Sequence, residues 1–156
     1  MRYRIQVELI STIKIPSCYL KPIPKIAHTT ISYIPKSILK KYLSPRTNWT
    51  INVAIVGTVR MKKTNYQFRK KNRTTDVLSF SNIESFNPVS NQIGEVILCW
   101  PVLKKQAVEY GGTIDEEITR LLVHGILHLF GYDHEKNKQE ELKMFRLQNK
   151  ICNKLS

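Results

Sequence analysis

Apolar and polar positions along this chain follow two periods and switch between them several times. Residues 3–9 (YRIQVEL) alternate with period two, as a half-buried strand does. Residues 50–57 (TINVAIVG) are rich in β-branched side chains and predict a second strand, and 76–81 (DVLSFS) and 93–100 (IGEVILCW) predict two more. Residues 36–43 predict a short helix entered after Pro35 and ended by Pro45. Residues 59–70, polar but carrying Met61, Tyr66 and Phe68, predict another. Pro101 opens a helix running to Tyr110, where Gly111-Gly112 stops it. Thr113 starts the next, with Glu116 three residues on to complete a capping box and Asp115, Glu116 and Glu117 at the positive end of the helix dipole. A last helix, about 136–153, sets Leu142, Phe145, Gln148 or Asn149 and Cys152 along a stripe that reads as core, with Met144, Leu147 and Ile151 beside it. Residues 11–34 are interrupted by Pro16, Pro22 and Pro24 and read as loop. Strands and helices mix without strict βαβ alternation. The expected fold is therefore α+β, a single domain with a roughly four-stranded mixed sheet, packed helices, and the helix from Thr113 at its centre.

That central helix carries the candidate chemistry. Its end reads HGILHLFGYDH over residues 124–134, with the spacing His-x3-His-x2-Gly-x2-His. Four residues apart on a helix, His124 and His128 lie about 40° apart on one face and roughly 6 Å apart along the axis. Gly131 lets the chain leave the helix in a left-handed conformation, and the turn can bring His134 back onto the same ion. Packing alone does not explain three histidines bracketing a glycine in so apolar a run. Three neutral imidazoles at about 2.0–2.1 Å from Zn²⁺, with a fourth position open, describe a catalytic rather than a structural site. One Zn²⁺ per chain, held by His124, His128 and His134, is the expectation. The spacing equals that of the metzincin proteases, whose HExxH carries a glutamate as general base. Here that position is Gly125, so the metal site survives the comparison and the proteolytic chemistry does not.

Composition narrows the partners. The chain has 156 residues, which suits one core, and a net charge of +13. Residues 1–75 hold sixteen Lys and Arg against one acid, Glu8, whereas residues 76–156 hold nine against eleven acids. A polyanion, RNA or DNA, is the natural partner for such a front half, although scattered lysines in a chain rich in Lys, Ile and Asn also simply solvate a surface. No apolar stretch approaches the length of a membrane span, and the basic, alternating start lacks the apolar core of a signal peptide, so no membrane association is expected and the cytoplasm is the expected compartment. Cys18, Cys99 and Cys152 form no CxxC pair and read as reduced thiols.

The run RKKNRTTDVLSF (residues 69–80), followed by HGILHLFGYDH, resembles the YbeY-type endoribonucleases, the bacterial rRNA maturation factors. The resemblance extends from about Asn52 to Ile151 and includes Asn65-x3-Arg69, Thr75-Asp-Val-Leu-Ser-Phe80, Ile93-Gly94 and Gln106-Ala107. It implies a metal-dependent RNase directed at single strands, acting in rRNA processing, including 16S 3′-end maturation, and in ribosome quality control. It implies metal ligation by His124, His128 and His134, an activity-bearing Arg69, and association with the small ribosomal subunit, one of its proteins and a ribosome-linked GTPase. Arg69 and His124 are then the candidate catalytic residues. The chain departs from the pattern at Glu95, where the family has Asp, at Gln148, where a glutamate is common, and over the divergent basic residues 1–50.

In that chemistry Arg69 suits the transition state because a guanidinium pairs bidentately with two phosphate oxygens, where lysine offers a point charge. Asp133 reads equally as an orienter of an imidazole or as a local cap; Asp76 and Glu95 are weaker candidates, and His28 reads as a loop histidine without function. Two other classes remain open: a metal-dependent peptidase or amidohydrolase, and a non-catalytic ribosome-assembly factor in which zinc only holds the fold.

Overall fold

In a computed structural model, which describes residues 3–83 and 91–156, four strands form one mixed sheet. They are β1 (Arg4–Ser11), β2 (Asn48–Val56), β3 (Val77–Ser81) and β4 (Gln92–Cys99), in the order β1-β2-β4-β3. β1–β2 and β2–β4 are parallel, and β3 runs antiparallel to β4 at the edge. The helices are α1 (Ser17–Leu20), α2 (Ile23–Ser32), α3 (Lys36–Tyr42), α4 (Thr58–Arg69), α5 (Trp100–Glu109), α6 (Ile114–Leu129) and α7 (Lys138–Leu155). The α+β class, the mixed four-stranded sheet and the central helix all stand as the sequence predicts.

The near-continuous apolar run of β2 follows from its being covered on both faces. Ile51, Val53 and Ile55 join Val96 and Leu98 of β4 in the larger core, under α6. Ala54 and Val56 point the other way and meet Met61 of α4, Leu78, Ile97 and Cys99. α4 and α6 thus lie on opposite faces of the sheet. Residues 11–34 are not the loop expected. Pro22 is the N-cap residue of α2 and Pro24 sits in its first turn, where a missing N–H breaks no helical hydrogen bond. Ile23, Ile26, Ala27 and Ile31 then form a buried helical face, and burial of each large side chain contributes on the order of 1.5–3 kcal/mol.

α6 is buried along most of its length, through Ile118, Leu121, Leu122, Val123, Ile126 and Leu127. The predicted capping box is present: Thr113 Oγ1 accepts from the Glu116 amide at 3.2 Å, and Glu116 Oε2 accepts from the Thr113 amide at 2.7 Å. Gly125 is what lets this helix lie against the sheet. A Cβ there would stand 2.7 Å from Val96 Cγ1 and 3.5 Å from Val77 Cγ2. The position of the protease glutamate therefore faces β4 and has no room for a side chain. Gly125→Ala is expected to destabilise the chain by about 1–3 kcal/mol through overpacking, read as a lower denaturation midpoint in urea.

Candidate metal centre

α6 ends at Leu129 and the chain reverses at Gly131, which takes φ +83°. The Gly131 amide donates to the His128 carbonyl at 3.0 Å and the Tyr132 amide to the Leu127 carbonyl at 3.2 Å, so the last carbonyls of the helix are satisfied by the turn itself. The turn brings His134 back over the helix. One ligating atom from each of His124, His128 and His134 lies within 4.8 Å of the other two. Among the described residues no fourth His, Cys or carboxylate joins them.

The hydrogen bonds around the trio fix which nitrogens point inward. His124 Nδ1 lies 2.9 Å from Gln148 Oε1 of α7. An amide oxygen only accepts, so Nδ1 carries the proton and Nε2 keeps its lone pair. That Nε2 is 3.1 Å from His128 Nε2. His134 Nδ1 is buried without a hydrogen-bond partner among the described residues. A lone pair aimed at a second imidazole nitrogen, beside an orphaned third, is the arrangement a shared cation satisfies. The residues present fit a divalent metal ion.

Burial sets the protonation state that ligation needs. It pushes His128 down to about 4, with the neighbouring His124 and His134 adding to the shift and the Asp133 carboxylate opposing it. Burial is also the largest cause lowering His124, against the hydrogen bond to Gln148. Both imidazoles are therefore neutral near pH 7. Because the folded value of His128 lies below the ordinary 6.5, the unfolded chain takes up the proton first as pH falls. Stability of the metal-free protein is expected to be complete above pH 6.5 and to decline as pH falls towards 4. A melting series in chelator over that range checks this; a flat or rising series contradicts it.

The trio opens into a cavity of about 470 Å³ at the β3 edge of the sheet, where the chain passes from α4 on one face to the helices of the other. Arg69, at the end of α4, lines this cavity with Thr75, Asp76 and Ser79. The connection is shaped locally: Lys70 turns the chain at φ 58°, and the buried Asn65 donates from Nδ2 to the Arg73 carbonyl at 2.7 Å. Phe145 of α7 closes the opposite wall, its ring centroid 5.6 Å from that of His134.

Of the weaker sequence candidates, Asp76 lines the cavity and accepts from Gln106 Nε2 at 3.1 Å. Asp133 also lines it, but its Oδ1 accepts from the Glu135 amide at 2.9 Å, a local turn. Glu95 pairs in the sheet between Asn52 and Phe80, away from the histidines, and His28 is exposed on α2. Two cavity residues, Phe145 and Arg120, go unmarked by motif or spacing, and Gln148, marked only as a departure from the family pattern, stands behind His124. Gln148 and Phe145 belong by periodicity to the core stripe of α7, yet they face the histidines. Arg120, one helical turn before His124, lines the cavity too; it is bound by the buried Glu117, with its guanidinium 3.9 Å from Asp76. A polar Gln within an apolar stripe, and an Arg at i−4 from a ligand, are the signals the sequence offers for them.

Comparison with known proteins identifies the family and the fold. The family model for endoribonuclease YbeY matches residues 22–156, beginning well before Asn52 and including α2. A protein named endoribonuclease YbeY from a Sulfurihydrogenibium species is 44% identical over 123 residues, covering 78% of this chain and 81% of that one. The protein of that name from Aquifex aeolicus is 41% identical over 109 residues, covering 70% and 72%. A solution structure from Thermotoga maritima superposes with a TM-score of 0.62 at 28% identity, covering 94% of this chain and 87% of its own. With a family match over most of its length, and a fold shared with a solved structure, this chain belongs to the YbeY endoribonuclease family.

Proposed function

We propose that this chain is a metal-dependent endoribonuclease that hydrolyses phosphodiester bonds in single-stranded rRNA. On this reading it works in 16S 3′-end maturation and ribosome quality control, on the small ribosomal subunit in the cytoplasm, with one of that subunit's proteins and a ribosome-linked GTPase as partners. The observation that carries the reading is one cavity shared by three converging histidines and Arg69, in a member of an endoribonuclease family.

His124, His128 and His134 hold one Zn²⁺. When bound, such an ion supplies Lewis-acid stabilisation of phosphoryl charge and acidifies water near neutrality. Gln148 keeps the proton on His124 Nδ1 and so keeps Nε2 available as a ligand. The two cavity arginines divide their work. Arg120 is committed to Glu117 and lies beside Asp76, so its charge is spent on the protein's own carboxylates. Arg69 makes no salt bridge among the described residues, which leaves its guanidinium for two non-bridging phosphate oxygens as negative charge builds on them. Phe145 walls the site with an apolar ring, which limits water and strengthens these interactions.

The alternatives lose ground for physical reasons. A HExxH-type peptidase needs a carboxylate where Gly125 is pressed against Val96, and a purely structural zinc needs a fourth protein ligand. The test is a labelled single-stranded RNA, the same sequence in duplex form, and casein, each with added Zn²⁺ or with chelator. Cleavage of the single strand alone, abolished by chelator, is expected. RNA left intact beside hydrolysed casein contradicts the reading.

A further inference from the structure

Apart from Arg69 at its end, the outer face of α4 has no role in the site as described. Its inner face is fixed by Met61 and Asn65, both buried, so the rest of the helix is turned to solvent. Residues 58–75 carry Arg60, Lys62, Lys63, Arg69, Lys70, Lys71 and Arg73 and no acidic residue. At helical spacing, Val59, Lys62, Lys63, Tyr66 and Arg69 fall on one stripe, with neighbouring side chains about 5–6 Å apart and the whole stripe roughly 15 Å long.

Two members of the stripe are apolar and out of place on a solvated face. Val59 is 83% exposed and Tyr66 57%. Phe68, also exposed, leans on Phe80 of β3 with ring centroids 4.9 Å apart and so has a packing role. Tyr66 lies on the stripe instead, between Lys62 and Lys63 on one side and Arg69 on the other. Arg69 lines the metal cavity, so the stripe runs continuously into the site.

We propose that this face of α4 is the entry track for the RNA strand, with Lys62 and Lys63 following its phosphates and Tyr66 stacking on an unpaired base one turn before Arg69. The proposal rests on the nuclease reading above and adds to it a base-stacking subsite outside the metal cavity. Alternation of cations with an exposed ring is what a single strand needs: charge for its backbone and a π-face for bases that no partner strand covers. A duplex hides those faces, so the track selects single strands and, because every base has a π-face, does so without strong sequence preference. The uniformly positive charge of the stripe argues for a polyanion over a protein surface of mixed charge.

Binding is measured with metal removed, by fluorescence anisotropy of the full chain with a labelled oligoribonucleotide and with an abasic sugar–phosphate oligomer of equal length. Tyr66→Ala is expected to weaken binding of the base-bearing strand about tenfold and to leave the abasic one unchanged, and Tyr66→Phe to restore the loss. Lys62→Ala with Lys63→Ala is expected to weaken both ligands alike and to flatten the slope of log K against log salt by about 0.7 for each phosphate that is no longer neutralised. Wild-type binding of the base-bearing strand by Tyr66→Ala, or an equal loss for both ligands, overturns the track. A chain that binds through Tyr66 yet cleaves no RNA overturns the nuclease reading and leaves the track standing.

Discussion

His128→Ala is expected to leave a folded chain that no longer retains its metal and no longer cleaves RNA. Its side chain supplies the nitrogen 3.1 Å from His124 Nε2, at the centre of the trio. Loss of an outer-shell partner such as the one Gln148 offers typically costs 10–100-fold in metal affinity. Loss of a direct ligand removes a bond outright, so affinity is expected to fall more than about 100-fold. His128 is only partly buried at the cavity wall, and the apolar face of α6 that anchors the helix is untouched. The measurement is metal content per chain after dialysis, beside circular dichroism: about one Zn²⁺ for the wild type and close to none for the variant. Equal metal content in the two contradicts the assignment.

Arg69→Ala gives the complementary result. Arg69 touches the cavity and not the ligands' hydrogen-bond network, so metal content is expected to stay at one per chain while kcat falls about 10²–10³-fold, as when a charge-stabilising donor is removed from an active site. Arg69→Lys is expected to recover only part of the loss, since an ammonium lacks the planar fork. The alanine variant, purified identically, also separates cleavage by this chain from cleavage by a trace of another RNase. Undiminished cleavage by that variant removes Arg69 from the chemistry.

What the sequence discloses follows the range of the interactions involved. The trio is legible because His124 and His128 are one helical turn apart and Gly131 marks where the chain reverses; both signals are local. The capping box that starts α6 is legible for the same reason. α2 is hidden because Pro22 and Pro24 read as breakers, although at a helix's first turn they are compatible with it. Its apolar spacing, Ile23-Ile26-Ala27-Ile31, is the stronger signal. The environment of the trio is not legible. Asp76 meets Gln106 across 30 residues and His124 meets Gln148 across 24, contacts that only the packing of β3, α5, α6 and α7 creates. Arg69 is visible only through the family motif, for within Arg69–Arg73 nothing in the residues themselves separates it from a solvated cation. Its place at the cavity comes from the crossing between sheet faces at the β3 edge.

The most direct measurement is anomalous diffraction at the zinc edge from crystals grown with Zn²⁺. One peak per chain is predicted, about 2.0–2.1 Å from one nitrogen each of His124, His128 and His134, with no further protein ligand. No peak there at full zinc loading, or a peak bound elsewhere on the chain, would contradict the account.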